Sequence, residues 1–156
     1  MRIIVLEDVP IAAASLVHLI RSECAEAQIR VLDNEFEFNQ AHSDFIKQQP
    51  NLFVLDMRVR WTSSDLVAAV PPIDYQRTGS WRRAGLRCCR LLLSDERTRD
   101  LPIVLTSVLE DREVRAELQG LPPNVDFIEK RRHNDLRIIL RKHCQKSRTV
   151  SQAIVN

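Results

Sequence analysis

Leu52-Phe53-Val54-Leu55-Asp56 is a run of four apolar residues ended by a carboxylate. Such a run, with no polar residue alternating through it, reads as a strand buried on both faces. Three other stretches follow the same rule. Ile3-Ile4-Val5-Leu6 stops at Glu7-Asp8, Ile103-Val104-Leu105 stops at Thr106-Ser107, and Val125-Asp126-Phe127-Ile128-Glu129 stops at Lys130. Strands buried on both faces belong to open parallel sheets, where chemistry gathers just beyond the carboxyl ends. Three carboxylates, a hydroxyl and an ammonium would meet at one edge.

Between the runs lie helical patterns. Pro10 suits a first helical turn, and apolar residues at Ile11, Ala14, Leu16, Val17, Leu19 and Ile20 predict a helix over 11–24. Ile29-Arg30-Val31-Leu32 is a weaker strand. Helices are expected over 35–48, 85–97, 110–119 and 133–146, the last with Leu136, Ile139, Leu140 and His143 on one face. The β-α unit recurs five times. This predicts an α/β fold: a five-stranded parallel sheet in the flavodoxin-like order 2-1-3-4-5, helices on both faces. One domain is expected over 1–146, with a flexible polar tail over 147–156. Residues 57–84 break the rhythm as a 28-residue connection where 2–6 is usual. Leu66–Val70 could form a helical turn within it.

The 156 residues suit a single domain. A formal charge of +2 is too small to imply nucleic-acid binding. There is no apolar stretch near the roughly 18 residues of a membrane span, and no signal-peptide pattern. A cytoplasmic protein is expected. Cys24, Cys88, Cys89 and Cys144 form no CxxC pair, and reduced, partly buried thiols are expected.

Carboxylates crowded at a rim repel by roughly 4 kcal/mol per pair at about 4 Å and an effective dielectric near 20. Protonation or a cation relieves this. Hard oxygen ligands without nearby His or Cys favour Mg²⁺ over zinc. Asp56 could then act as a nucleophile toward phosphorus, with Lys130 neutralising the transferring group and Thr106 donating to one of its oxygens.

An acidic pair after strand 1, Asp after strand 3, Thr after strand 4 and Lys after strand 5 resemble the receiver domains of response regulators, the CheY-like family of two-component signalling. Gly85-Leu86, Arg90-Leu91 and the stretch Asp95–Thr106 are similar to that family's helix 3 to strand 4 segment. The resemblance covers about residues 1–146 and implies a role for each site residue. Asp56 would be the phosphoacceptor. Asp8 and Asp56 would bind Mg²⁺ with the backbone carbonyl of Arg58, and Glu7 would act through water. Thr106 and Phe127 would form the switch pair. The donor would be a sensor histidine kinase or a histidine phosphotransfer protein. Output would come from a downstream protein target, not from DNA, because only about ten residues follow the last expected helix. The resemblance implies a signalling phosphoacceptor, at most a slow self-dephosphorylating one, and not an enzyme.

Some positions depart from the pattern. Arg131 stands where the family usually has proline, Ser107 replaces a small apolar residue, and Arg58 puts a cation beside the site. These departures and the long loop motivate an alternative: a receiver-fold interaction module not switched by phosphate. A phosphohydrolase of the haloacid-dehalogenase type would need Asp where Arg58 stands. Thr106-Ser107 could instead cap a helix starting near Glu110. Lys130 is one of only four lysines against nineteen arginines, which favours a specific use of lysine. Residues 129–148 hold eight Lys or Arg and two acids, read either as a solvated face or as a docking surface for an acidic partner or a second copy.

Overall fold

The computed structural model describes residues 1–62, 70–108 and 116–153. Five strands form one parallel sheet: β1 (Arg2–Leu6), β2 (Gln28–Leu32), β3 (Leu52–Asp56), β4 (Ile103–Ser107) and β5 (Val125–Glu129), in the order β2-β1-β3-β4-β5. The expected fold class and strand order are therefore present. The helices are α1 (Pro10–Glu23), α2 (Glu35–Lys47), α3 (Ala84–Ser94) and a C-terminal helix (His133–Ala153). Most of the expected helical turn at 66–70 and most of the expected helix 110–119, including a cap on it from Thr106-Ser107, fall outside the described residues.

The uninterrupted apolar runs are explained by two cores. Successive side chains on a strand point to opposite faces. Ile3, Val5, Leu52 and Val54 join Leu19, Ile20, Leu136 and Leu140 beneath α1 and the C-terminal helix. Ile4, Leu6, Phe53 and Leu55 join Phe38, Phe45, Leu86 and Leu92 beneath α2 and α3. Every residue of β3 and β4 is buried. The edge strand β2 exposes most of its residues, which is why it reads weakly in the sequence.

Local chemistry sets the helix ends. Pro10 stands in the first turn of α1. The Asn34 side chain accepts from the Glu37 backbone N–H at 2.8 Å and caps α2. α3 ends at Ser94, short of the expected 97. The Thr98 hydroxyl donates back to the Leu92 carbonyl at 2.7 Å, and the Asp95 carboxylate takes the Arg97 N–H at 2.9 Å. The C-terminal helix runs to Ala153, seven residues past its expected end and through most of the segment expected as a flexible tail. Its later residues lack the apolar face from which the end was read.

Cys24 and Cys144, expected as free thiols, are joined in a disulfide between the end of α1 and the C-terminal helix, with Cα atoms 5.9 Å apart. Cys88 and Cys89 are free and buried. The basic C-terminal segment is partly neutralised within the chain. Arg137 and Arg141 pair with Glu23 of α1, and Arg131 and Arg132 pair with Glu129. Among the described residues no helix is long and apolar enough to cross a membrane.

The described parts of the long connection dock on α2 and α3. Glu35 and Phe36 donate backbone N–H groups to the carbonyls of Arg60 and Trp61, at 3.0 and 2.8 Å. Trp61 lies edge-on to both Phe36 and Tyr75. The buried Glu35 carboxylate takes two bonds from the Arg87 guanidinium, at 2.7 and 2.6 Å. Arg87 also donates to the Thr78 carbonyl at 2.9 Å and stacks 4.7 Å over the Tyr75 ring.

Candidate functional site at the carboxyl rim of the sheet

The parallel register carries each strand end to the same rim. β3 and β4 pair so that Asp56 lies beside Thr106, and β4 pairs with β5 through Ser107 and Glu129, just before Lys130. β1 delivers Glu7 and Asp8 immediately after Leu6. One carboxylate oxygen from each of Glu7, Asp8 and Asp56 lies within 4.8 Å of the others. The Lys130 ammonium donates to Glu7 Oε2 at 2.5 Å and to Asp56 Oδ2 at 2.8 Å. The four charged residues read from the sequence are thus one cluster.

Each has its position fixed. Glu7 is buried, and its second oxygen accepts from the Val9 backbone N–H at 3.2 Å. The Arg58 backbone N–H donates to Asp56 Oδ1 at 3.3 Å, which sets the Arg58 main chain against the Asp56 carboxylate. Thr106 is buried, and its hydroxyl lies 3.5 Å from the Leu55 carbonyl. Phe127 is placed differently. It pairs in register with Leu105, one step before Thr106, and is half-buried against the core beneath α2 and α3. Thr106, with Glu7 and Lys130, lines a cavity of about 590 Å³ on the side of α1 and the C-terminal helix. By strand alternation the two side chains leave the sheet on opposite faces.

Burial pushes the Asp56 carboxyl up to about 6; the Lys130 contact opposes this and the neighbouring Glu7 charge adds to it. Burial disfavours the charged Lys130 ammonium, but Asp56 and Glu7 outweigh that and hold its proton above the ordinary lysine range. A carboxylate that is buried, reluctant to ionise and bonded to a single ammonium is short of positive charge. Hard oxygen donors from three residues at the ends of β1 and β3, converging within one ion's reach, fit a small divalent cation such as Mg²⁺. Asp8 and Asp56 would ligate it directly, and it would offset the charge that the three carboxylates bring together.

Sequence reasoning missed two contributors. Arg60 reaches Asp8: its backbone N–H donates to Oδ2 at 3.1 Å, and its guanidinium donates to the Asp8 carbonyl at 2.7 Å. Gly85 packs flat against the end of β3; a Cβ there would lie 2.2 Å from the Asp56 carbonyl oxygen. The Arg60 contact joins residues 52 apart through an irregular segment, so no periodicity announces it.

No family model and no curated protein matches the chain in sequence. Solved structures match in fold. The signal receiver domain of a signal transduction histidine kinase from Syntrophus aciditrophicus superposes with a TM-score of 0.62 at 22% identity, over 93% of this chain and 90% of that one. A sensor protein from Polaromonas sp. JS666 gives 0.62 at 22%, over 93% and 96%. The Mn²⁺-bound form of response regulator Rcp1 gives 0.58 at 15%, over 90% and 89%. At these identities the likeness is one of fold, and it spans nearly the whole of each chain. With its parallel sheet in the order 2-1-3-4-5, this chain has the fold of response regulator receiver domains.

Proposed function

We propose that the protein is a phosphoacceptor signalling domain that takes a phosphoryl group on Asp56 from a phosphohistidine. The observation that carries this reading is the Lys130 ammonium bonded at once to Asp56 and Glu7, with Asp8 completing an acidic cluster within 4.8 Å. In the step proposed, an Asp56 carboxylate oxygen attacks phosphorus. A P–O bond forms as the P–N bond to the donor imidazole breaks, and the leaving nitrogen takes up a proton. Lys130 balances charge on the transferring oxygens, and the Thr106 hydroxyl donates to one of them. Mg²⁺ held by Asp8, Asp56 and the Arg58 carbonyl, with Glu7 acting through water, would neutralise the remaining charge. The likeness to a response regulator solved with Mn²⁺ and to one solved phosphorylated supports both parts of the reading.

The donor is a sensor histidine kinase or a histidine phosphotransfer protein, and the output is altered binding to another protein. The test is incubation with acetyl phosphate and Mg²⁺ followed by intact-mass measurement. One phosphate is expected on the wild type and none on Asp56→Asn. An unlabelled wild type, or a labelled variant, would sink the proposal.

A specific observation supports a second reading, a receiver-fold interaction module that phosphate does not switch. Both ends of the acidic cluster already have cationic partners: Lys130 for Glu7 and Asp56, Arg60 for Asp8. That reading expects Asp56→Ala to leave partner binding unchanged.

A further inference from the structure

We propose that Arg60, contributed by the long connection after β3, is a built-in competitor for Asp8 that sets how tightly the acidic cluster takes up a divalent cation. The inference rests on the metal-binding reading above and adds to it a residue outside that ligand set.

Three contacts carry it. The Arg60 backbone N–H donates to Asp8 Oδ2 at 3.1 Å. The guanidinium Nη2 donates to the Asp8 backbone carbonyl at 2.7 Å. Nε lies 3.6 Å from the same Oδ2 and is buried without a hydrogen-bond partner. That last atom is the informative one. A buried, unpaired N–H of a cation is costly, and among the described residues the carboxylate oxygen near it is Asp8 Oδ2, just beyond bonding reach. The guanidinium is thus held against Asp8 chiefly by charge and by its bond to the carbonyl. Its main chain is fixed in turn, because the Arg60 carbonyl accepts from Glu35 and the adjacent Val59 N–H donates to Trp81.

Charge arithmetic shows the effect. Glu7, Asp8 and Asp56 can carry three negative charges, and Lys130 offsets one. Arg60 offsets a second, so an arriving cation meets one net negative charge in place of two. A unit charge some 6 Å from a divalent ion in a water-like dielectric changes its affinity by about a factor of ten. The backbone N–H remains whatever side chain stands at 60, so replacing the guanidinium removes charge while keeping Asp8 in place. Metal occupancy is thereby tied to the geometry of the long connection, since any partner that moves 58–61 also moves the competing charge.

The test is Mn²⁺ binding, read from the electron paramagnetic resonance signal of free Mn²⁺, on the full chain without phosphodonor at low ionic strength. Arg60→Gln is expected to bind Mn²⁺ about tenfold more tightly than wild type, while Arg60→Lys, which keeps the charge, stays within about threefold of it. The gap between Gln and wild type should shrink in 0.5 M salt, as screening requires. Equal or weaker binding by Arg60→Gln, in protein whose circular dichroism matches wild type, overturns the proposal and leaves the metal site standing. If neither wild type nor Arg60→Gln takes up Mn²⁺, or if Asp8→Asn and Asp56→Asn bind as wild type does, the metal reading falls and this inference falls with it.

Discussion

Ionising Asp56 costs the folded protein free energy, and the cost has a definite pH window. Its carboxyl is held near pH 6, above the ordinary 3.8 that applies in the unfolded chain. Below about pH 3.8 it is protonated in both states and the cost is absent. As pH rises from there through 6, the unfolded chain gives up the proton while the folded protein resists, so stability is lost across that window and stays lost above it. Asn mimics the protonated form. Asp56→Asn should therefore raise the metal-free unfolding free energy by about 1–3 kcal/mol at pH 7.5, an advantage that vanishes below about pH 4. Urea unfolding across pH measures it. A variant less stable than wild type at pH 7.5 would show that the Lys130 bond outweighs burial. Asp56, Glu7 and Lys130 were legible in the sequence because an ionisable residue ending a doubly buried strand can only face the rim. Arg60 was not, because an arginine in a turn-rich connection looks like any surface arginine until the fold brings it to Asp8. Phe127 was legible as a strand residue, yet its pairing with Leu105, on the other face of the sheet from Thr106, depends on the β4-β5 register, which no single strand encodes.

The contact between α3 and β3 is as close as backbones allow. The Gly85 N–H donates to the Met57 carbonyl at 3.3 Å, and the Met57 N–H donates to the Thr106 carbonyl at 2.8 Å, so α3, β3 and β4 are tied at the site itself. A methyl group on Gly85 has no free volume to enter, since backbone on that side cannot step aside. Gly85→Ala should destabilise by about 1–3 kcal/mol and slow acetyl-phosphate labelling of Asp56, because the strain falls on the carbonyl of the acceptor residue. Thermal unfolding and labelling rates check this; unchanged values for both would mean that α3 can shift without disturbing β3. The strands and most helices were readable from runs and periodicity. The C-terminal helix was read short because its last two turns are polar. Glu35 and Arg87 were silent for a different reason: a buried pair between the start of one helix and the middle of another leaves no trace in the local pattern of either.

The Cys24–Cys144 bond closes 120 residues of chain and fastens the C-terminal helix to α1. Closing so long a segment restricts the unfolded chain, an effect worth about 2–4 kcal/mol. Reduction should lower the unfolding midpoint accordingly. The sulfurs can be counted. Burial pushes the Cys89 thiol up to about 12 and the Cys88 thiol well above its usual range, so neither should react with an alkylating reagent at pH 8 while the protein is folded. Denaturation without reductant should release two reactive thiols, and with reductant four. Four without reductant would mean that the bond does not form. The sequence suggested a cytoplasmic protein with free thiols. Cytosolic thiol pools would reduce this bond, so the count on protein taken from cells also reports the compartment.

Both tryptophans of the chain, Trp61 and Trp81, lie in the connection beside the site. The Arg58 guanidinium lies 4.8 Å over the Trp81 ring, while the Arg58 backbone N–H holds Asp56. A cation resting on an indole alters its emission, and a doubly charged phosphoryl group on Asp56 would draw that cation away. The protein therefore carries its own optical gauge. Acetyl phosphate with Mg²⁺ should change the intrinsic fluorescence, and Trp81→Phe should abolish most of the change while leaving the added phosphate in place. A response that survives in Trp81→Phe would assign the signal to Trp61.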